Sequence, residues 1–483
     1  MHRKKFMKLY AAATAAAMAL SIAACSSNAT DTSSADNITV SSDIIEEDDI
    51  DLTDEITNTN DSEHAIEVSG ETAEYSNIRV TKTGDSDAGD EADFYGDNSA
   101  IFATDGATLT LNNIVVDTDG THANAVFSYG EGTTVNISDS VITTSGNCSG
   151  GLMTTGGGKM NATNLNIHTT GNSSAAIRSD RGGGTVTVTG GSYLTEGTGS
   201  PVIYSTADIT VNDALLESTA SEGVVVEGRN SVTLNNVTLV ADNNKKNSDK
   251  SDTYNAVMIY QSMSGDAAVG LASFTMNEGS LTNANGDVFF VNNTVTDITL
   301  DNVTIVNQDP DGVFLRAAAA GWGSEGSNGG KVNLYLNRQT LEGDIVVDSV
   351  SALNMYLASD TTYTGTVNGD NDGEVYVEIE SGSKWVLSGD SYISFLTCDA
   401  DGIDLNGYTL YINGTPYSEG SVCTGTAIEM ESGASGSGNG QPEGMPGDPP
   451  SGERPDRPEG DPQGDPLSGE RPEGDPPARP EDT

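Results

Sequence analysis

The charged stretch that invites a chemical reading is Arg178-Ser179-Asp180-Arg181, with Glu227 and Arg229 further along and Tyr204 between them. Arginine pairs bidentately with carboxylates, so Arg178 and Arg181 suit an anionic sugar. Asp180 and Glu227 supply carboxyl groups of the kind used in acid–base work. Glycoside hydrolysis, however, needs two carboxyl groups roughly 5–9.5 Å apart, and no such acidic doublet falls on adjacent repeats of this chain. An Arg/Asp network that supports a loop is the plainer reading, and the sequence favours it over catalysis.

Two further groups carry chemistry. The segment GDSDAGDEADFYGDN at 84–98 concentrates Asp85, Asp87, Asp90 and Asp93. Calcium takes six to eight hard oxygens, which such a loop offers, although the spacing is not that of an EF-hand. Calcium is therefore the one cofactor the sequence suggests, and none is required. Trp322 stands in AAAAGWGSEGSNGG at 317–330, where it serves as a sugar platform or folds back over its own chain.

The N-terminus bears on compartment. A basic HRKKFMK is followed by LYAAATAAAMALSIAA and Ile22-Ala23-Ala24-Cys25. This reads as an export signal, too short and alanine-rich for a span, ending in a lipobox with Cys25 as the lipidated residue. Residues 1–24 are expected to be signal peptide, and the mature protein is expected on the outer face of the cell membrane, lipid-anchored. An acyl chain contributes about 0.8 kcal/mol per buried CH₂ to such anchoring.

Acidic residues number 72 against 21 basic ones, a net charge of -51. That excludes nucleic-acid binding built on phosphate neutralisation. Four cysteines in 483 residues are no disulfide scaffold, so stability must come from a large core. Cys398 and Cys423 could pair, which would leave Cys148 over; the sequence alone does not decide it.

The core is written as a repeat. An apolar–polar–polar–x–x–apolar element recurs as LNNIVV at 111, ISDSVI at 137, ATNLNI at 162, VTGGSY at 188, VNDALL at 211, LNNVTL at 234, MNEGSL at 276 and LDNVTI at 300. Its intervals are 23 to 26 residues, with one of 42 that contains the polar insertion ADNNKKNSDKSD. The third position carries Asn113, Asp139, Asn164, Gly190, Asp213, Asn236 and Asn302, residues that tolerate the left-handed corners between short strands. Such units are coils of a solenoid. The expected fold is all-β, a right-handed parallel β-helix over 66–425. A flexible acidic stalk at 25–65 precedes it, and a disordered Gly/Pro/acidic tail at 426–483 follows.

Each unit opens with a second strand, from SAIFA to GVFLR. If Ile101, Val126, Leu152, Ile177, Ile203, Val225, Met258, Phe289 and Phe314 face the core, strand alternation sends the next position outward. That column is Phe102, Phe127, Met153, Arg178, Tyr204, Val226, Ile259, Phe290 and Leu315. An exposed stripe of rings and Arg is a sugar-binding surface, because large exposed apolar patches mark interaction sites. The alternatives are that a loop covers the stripe or that the faces are reversed.

The coils NISDSVITTSG, NATNLNIHTTG and TLNNVTLVADN resemble those of right-handed parallel β-helix proteins of the pectate-lyase-like and adhesin-like group. The L-x-L runs, TYTGTV and SGSKWVLSGDS within 331–396 look like passenger regions of bacterial adhesins. The chain with its tail is similar to β-helix surface lipoproteins of gut-type Gram-positive bacteria. The resemblance implies the fold and the compartment and supplies no activity; with no carboxylate cluster in view, the leading expectation is a monomeric, non-catalytic adhesin or carbohydrate-binding lipoprotein whose partners are a polysaccharide or glycoprotein and, through its lipid, the membrane. The alternative is a lyase or hydrolase of acidic polysaccharide. A lyase of this fold would need clustered calcium-binding carboxylates and a base, and only Arg178 beside Asp180 and Glu227 approaches that pattern.

Overall fold

The structure is a computed structural model that describes residues 44–431 and Ala434. The segment expected to be an export signal, Cys25, the first part of the expected stalk (25–43) and nearly all of the tail lie outside the described residues. Among the described ones the chain winds as a parallel β-helix. An eighteen-stranded sheet runs from Asp54–Asn58 to Phe395–Cys398, and an eleven-stranded sheet from Ile66–Ser69 to Ile345–Val347. Pairing is parallel from coil to coil throughout both. Smaller sheets close the far end, where Tyr411 pairs antiparallel with Pro416.

The corners form where small polar residues allow them. Asn113, Asp139, Asn164, Gly190, Asp213, Asn236 and Asn302 all have φ between 48° and 72°. Glu278 takes the same conformation at 59°, despite its longer side chain. These residues also bond along the stack: Asn164 donates to Asp139 and Asn236 to Asp213, each at 2.7 Å. Those corners thus satisfy a side chain as well as a turn.

Inward positions form registered columns. Leu109, Val135, Met160, Val186, Ile209, Val232, Phe274 and Ile298 follow one another in the large sheet. Ile101, Val126, Leu152, Ile177, Ile203, Val224, Val257, Phe289 and Leu315 do so in the second. All are buried, and burying one such side chain stabilises by about 1.5–3 kcal/mol.

A second kind of corner joins the large sheet to the next coil. A Cβ on Gly120, Gly146, Gly171 or Gly197 would fall 1.7–2.0 Å from the carbonyl oxygen of the glycine one coil back, so no other residue fits there. Ser149, Ser174 and Ser200 then donate to Gly120, Gly146 and Gly171 carbonyls at 2.8–3.0 Å.

The ends differ from expectation. Asp54–Asn58 lies within the segment read as a stalk, yet it pairs with Ile78–Lys82 and begins the large sheet. Ile428, in the segment read as tail, exchanges hydrogen bonds with Asn354 at 2.9 and 3.0 Å. Cys398 and Cys423 are antiparallel backbone partners, and their thiols are free.

Candidate functional site

The face that carries Arg178 is the outer face of the second sheet. Register places Phe102, Phe127, Met153, Arg178, Tyr204, Val225, Met258, Phe290 and Arg316 in one column. The expected column therefore slips by one residue at three coils. Val226, Ile259 and Leu315 belong to the core cluster, and Val225 and Met258 lie outside it. In runs such as GVVVE the three central positions are all valine, so polarity does not tell the two phases apart.

The column points outward, but it is not exposed. Phe102 is 7 % exposed, Arg178 and Tyr204 2 %, and Phe127 and Met153 0 %. Segments from distant parts of the sequence cover it, and they divide it into two environments.

The first lies beneath the short helix Asp90–Tyr95. Thr155 Oγ1 pins this cover by donating to the Phe94 carbonyl at 2.7 Å, and Phe102 stacks on His64 at 4.5 Å between ring centroids. Asp93 turns inward and is buried. Its Oδ2 lies 3.2 Å from Arg178 Nη1, while Arg178 Nη2 lies 2.9 Å from Asp180 Oδ2. Asn124 donates to Asp93 Oδ1 at 3.1 Å, and His122 Nδ1 lies 3.2 Å from the same oxygen. Arg178 and these hydrogen bonds hold the Asp93 carboxyl below its usual range despite burial. Burial pushes Asp180 up, with Arg178 pulling against it. The expectation of an Arg/Asp network is met, with Asp93 as its unforeseen centre.

The expected calcium loop does not converge. Asp85 and Asp87 are exposed, and Asp85 Oδ1 accepts the Thr121 amide at 2.7 Å. Asp90 is half-buried, and only Asp93 is buried. Among the described residues, the ligand-type side chains that do converge are Asp93, His122 and Cys148, with donor atoms within 4.8 Å of one another. His122 was not singled out in the sequence and Cys148 only as a leftover cysteine, although both occupy the left-handed corner one residue before the serine position.

The second environment is aromatic. Tyr204, Val225, Met258, Tyr260, Phe290 and Trp322 form one buried cluster. Trp322 is 4 % exposed and meets Tyr260 edge-to-face at 5.2 Å, so it folds back over the ladder and is no surface platform. Its indole N–H has no acceptor. Glu227 is buried among hydroxyls, accepting from Tyr204 at 2.6 Å, Tyr260 at 3.0 Å and the Ser262 hydroxyl. Burial raises its carboxyl above the usual value. Arg229 is exposed, and its amide donates to Ala268 at 2.7 Å.

Beside this cluster lies a cleft of about 120 Å³, lined by Tyr204, Tyr260, Trp322, Glu222, Asn243 and Lys245 among others. The inserted segment after Ala241 forms its rim. Lys245 is exposed there, and Lys246 is paired with Asp252 at 2.8 Å. Burial raises the Glu222 carboxyl. Arg181 links the two environments: its guanidinium sits 3.9 Å over the Phe94 ring and binds Asp266 at 2.8 Å.

The chain matches no family model, no curated protein and no solved structure. The class that fold and site define is a parallel β-helix with one strand face roofed by inserted segments.

Proposed function

We propose that the protein is a non-catalytic carbohydrate-binding or adhesive surface protein, lipid-anchored through Cys25, and that its ligand site is the cleft beside Trp322. The observation that carries this reading is the cleft lined by Tyr204, Tyr260 and Trp322, the last with a buried indole N–H that has no acceptor. The three rings are 0–4 % exposed, so they shape the cleft from behind its polar lining, and an unpaired buried donor is costly until an oxygen accepts from it. Lys245 on the rim favours an acidic sugar. Pockets for drug-sized ligands run to roughly 300–1,000 Å³, so about 120 Å³ suits a chain end better than a stretch of polymer.

The other part of the expected stripe, at Phe102 and Phe127, lies under its cover and offers a ligand no face. A hydrolytic reading has one observation in its favour, the raised Glu222 carboxyl in the same cleft, which would be the proton donor.

The test is binding of neutral and uronate-ended oligosaccharides to the wild type and to Trp322→Phe, which keeps the ring and removes the donor. Affinity for the acidic ends should fall about tenfold, one lost hydrogen bond being worth roughly 0.5–1.5 kcal/mol. Equal binding by both proteins overturns the assignment, and Glu222-dependent release of sugar would replace it with catalysis.

A further inference from the structure

The geometry points to a metal site at Asp93, His122 and Cys148 that takes a late first-row divalent cation, with Zn²⁺ the best match. It is independent of the carbohydrate reading and lies under the other cover.

Three elements bring the donors together. His122 and Cys148 stand on adjacent coils, with φ of 57° and 55°, at the same corner, so stacking sets one above the other. Asp93 comes down from the helix Asp90–Tyr95. The carboxylate oxygen, imidazole nitrogen and thiol sulfur lie within 4.8 Å of one another. Donors of one tetrahedral ion stand roughly 3–4 Å apart, so little closure is needed.

The approach of His122 Nδ1 to Asp93 Oδ1 is informative. The atoms are 3.2 Å apart, within ion-pair distance, and no well-aligned hydrogen bond reaches the buried Nδ1. A cation bridging the two would take the place of the proton that such a pair shares in the metal-free protein. The imidazole side chain is 9 % exposed and Asp93 3 %, so solvent satisfies neither.

The surroundings hold the carboxylate in place, as the outer contacts of a metal site do. Arg178 fixes Asp93 Oδ2 at 3.2 Å, and Asn124 fixes Oδ1 at 3.1 Å. Asp180 pairs with the Arg178 charge at 2.9 Å, which limits its repulsion of a cation. Nitrogen, sulfur and one oxygen select a borderline ion such as Zn²⁺ over calcium, which takes oxygens alone. Three protein donors leave a fourth position for water or a small ligand. Binding deprotonates the thiol, and the released proton passes to solvent.

The experiment uses the purified full chain, stripped with a chelator and titrated with Zn²⁺ and with Co²⁺ as a spectroscopic substitute. One equivalent should bind, with a thiolate-to-cobalt charge-transfer band. Cys148→Ser and His122→Asn should each remove that band and weaken Zn²⁺ about tenfold or more. Both should fold, because Ser173 already fills the Cys148 corner one coil on, with φ 54°, and Asn tolerates left-handed backbone. As a measurement on the unaltered protein, Zn²⁺ should protect Cys148 from alkylation while Cys398 keeps its own rate. Binding that survives either substitution, binding of calcium alone, or alkylation of Cys148 unchanged by Zn²⁺ overturns the proposal.

Discussion

Under the helix Asp90–Tyr95, the outer column of the second sheet meets a buried carboxylate, whereas under the segment around Trp322 it meets an indole. The column itself hardly changes: Phe127 and Met153 on one side, Val225 and Met258 on the other, all buried. What differs is the polar group within each apolar patch. Arg178 carries a full charge and is matched by two carboxylates. Glu227 has only hydroxyl donors for partners, and burial outweighs their hydrogen bonds to favour its neutral form. The first arrangement depends on charge balance and the second on protonation, which makes them separable by experiment.

The sharpest break is Arg178→Met. It leaves Asp93 and Asp180 buried without their counter-ion, and the loss should reach about 3–5 kcal/mol, read as a lowered urea midpoint. A loss confined below ~1 kcal/mol would mean that the helix lifts and both carboxylates hydrate.

Glu227→Gln tests the other half through pH. The folded value lies above 4.5, so as pH rises past 4.5 the unfolded chain releases a proton that the folded chain retains. The wild type therefore loses stability from pH 4.5 up to the folded value, after which the loss is complete. Glu227→Gln lacks this slope, and its stability relative to the wild type should improve across the same interval. Parallel curves would place the carboxylate in an ionised, solvated setting.

The smallest effect is expected at the link between the halves. Arg181 is 43 % exposed at its side chain, so solvent screens its pair with Asp266. Arg181→Ala should cost no more than about 1 kcal/mol. It should raise amide exchange of Phe94 and Asp266 together if the covers are connected, and of neither if they are not.

The solenoid was legible because its signals are local. The apolar period sets the inward columns, and Asn, Asp or Gly marks each bend. The Gly-x-x-Ser corner was also present as GNCS, GNSS and GTGS at the same interval, but glycine and serine read as ordinary loop residues until a neighbouring carbonyl gives them a reason. Asp54–Asn58 was missed because an end strand is half solvated, so its composition is that of a linker. The covers left no local signal. Thr155 meets Phe94 across 61 residues, and Arg178 meets Asp93 across 85. Strand alternation identified Arg178 and Tyr204 as outward-facing, and it carries no information about what lies over them.

The 42-residue interval has a further consequence. Val224 still pairs with Val257, and Leu234 with Met276, across it, so the extra chain leaves the winding undisturbed. Lengthening a closed loop costs only about 0.6 kcal/mol per doubling. The segment around Lys245–Lys250 is thus a port, open to grafted sequence. Swapping it would redraw the cleft wall, and with it the choice of ligand, while the coils beneath continue to count in the same step.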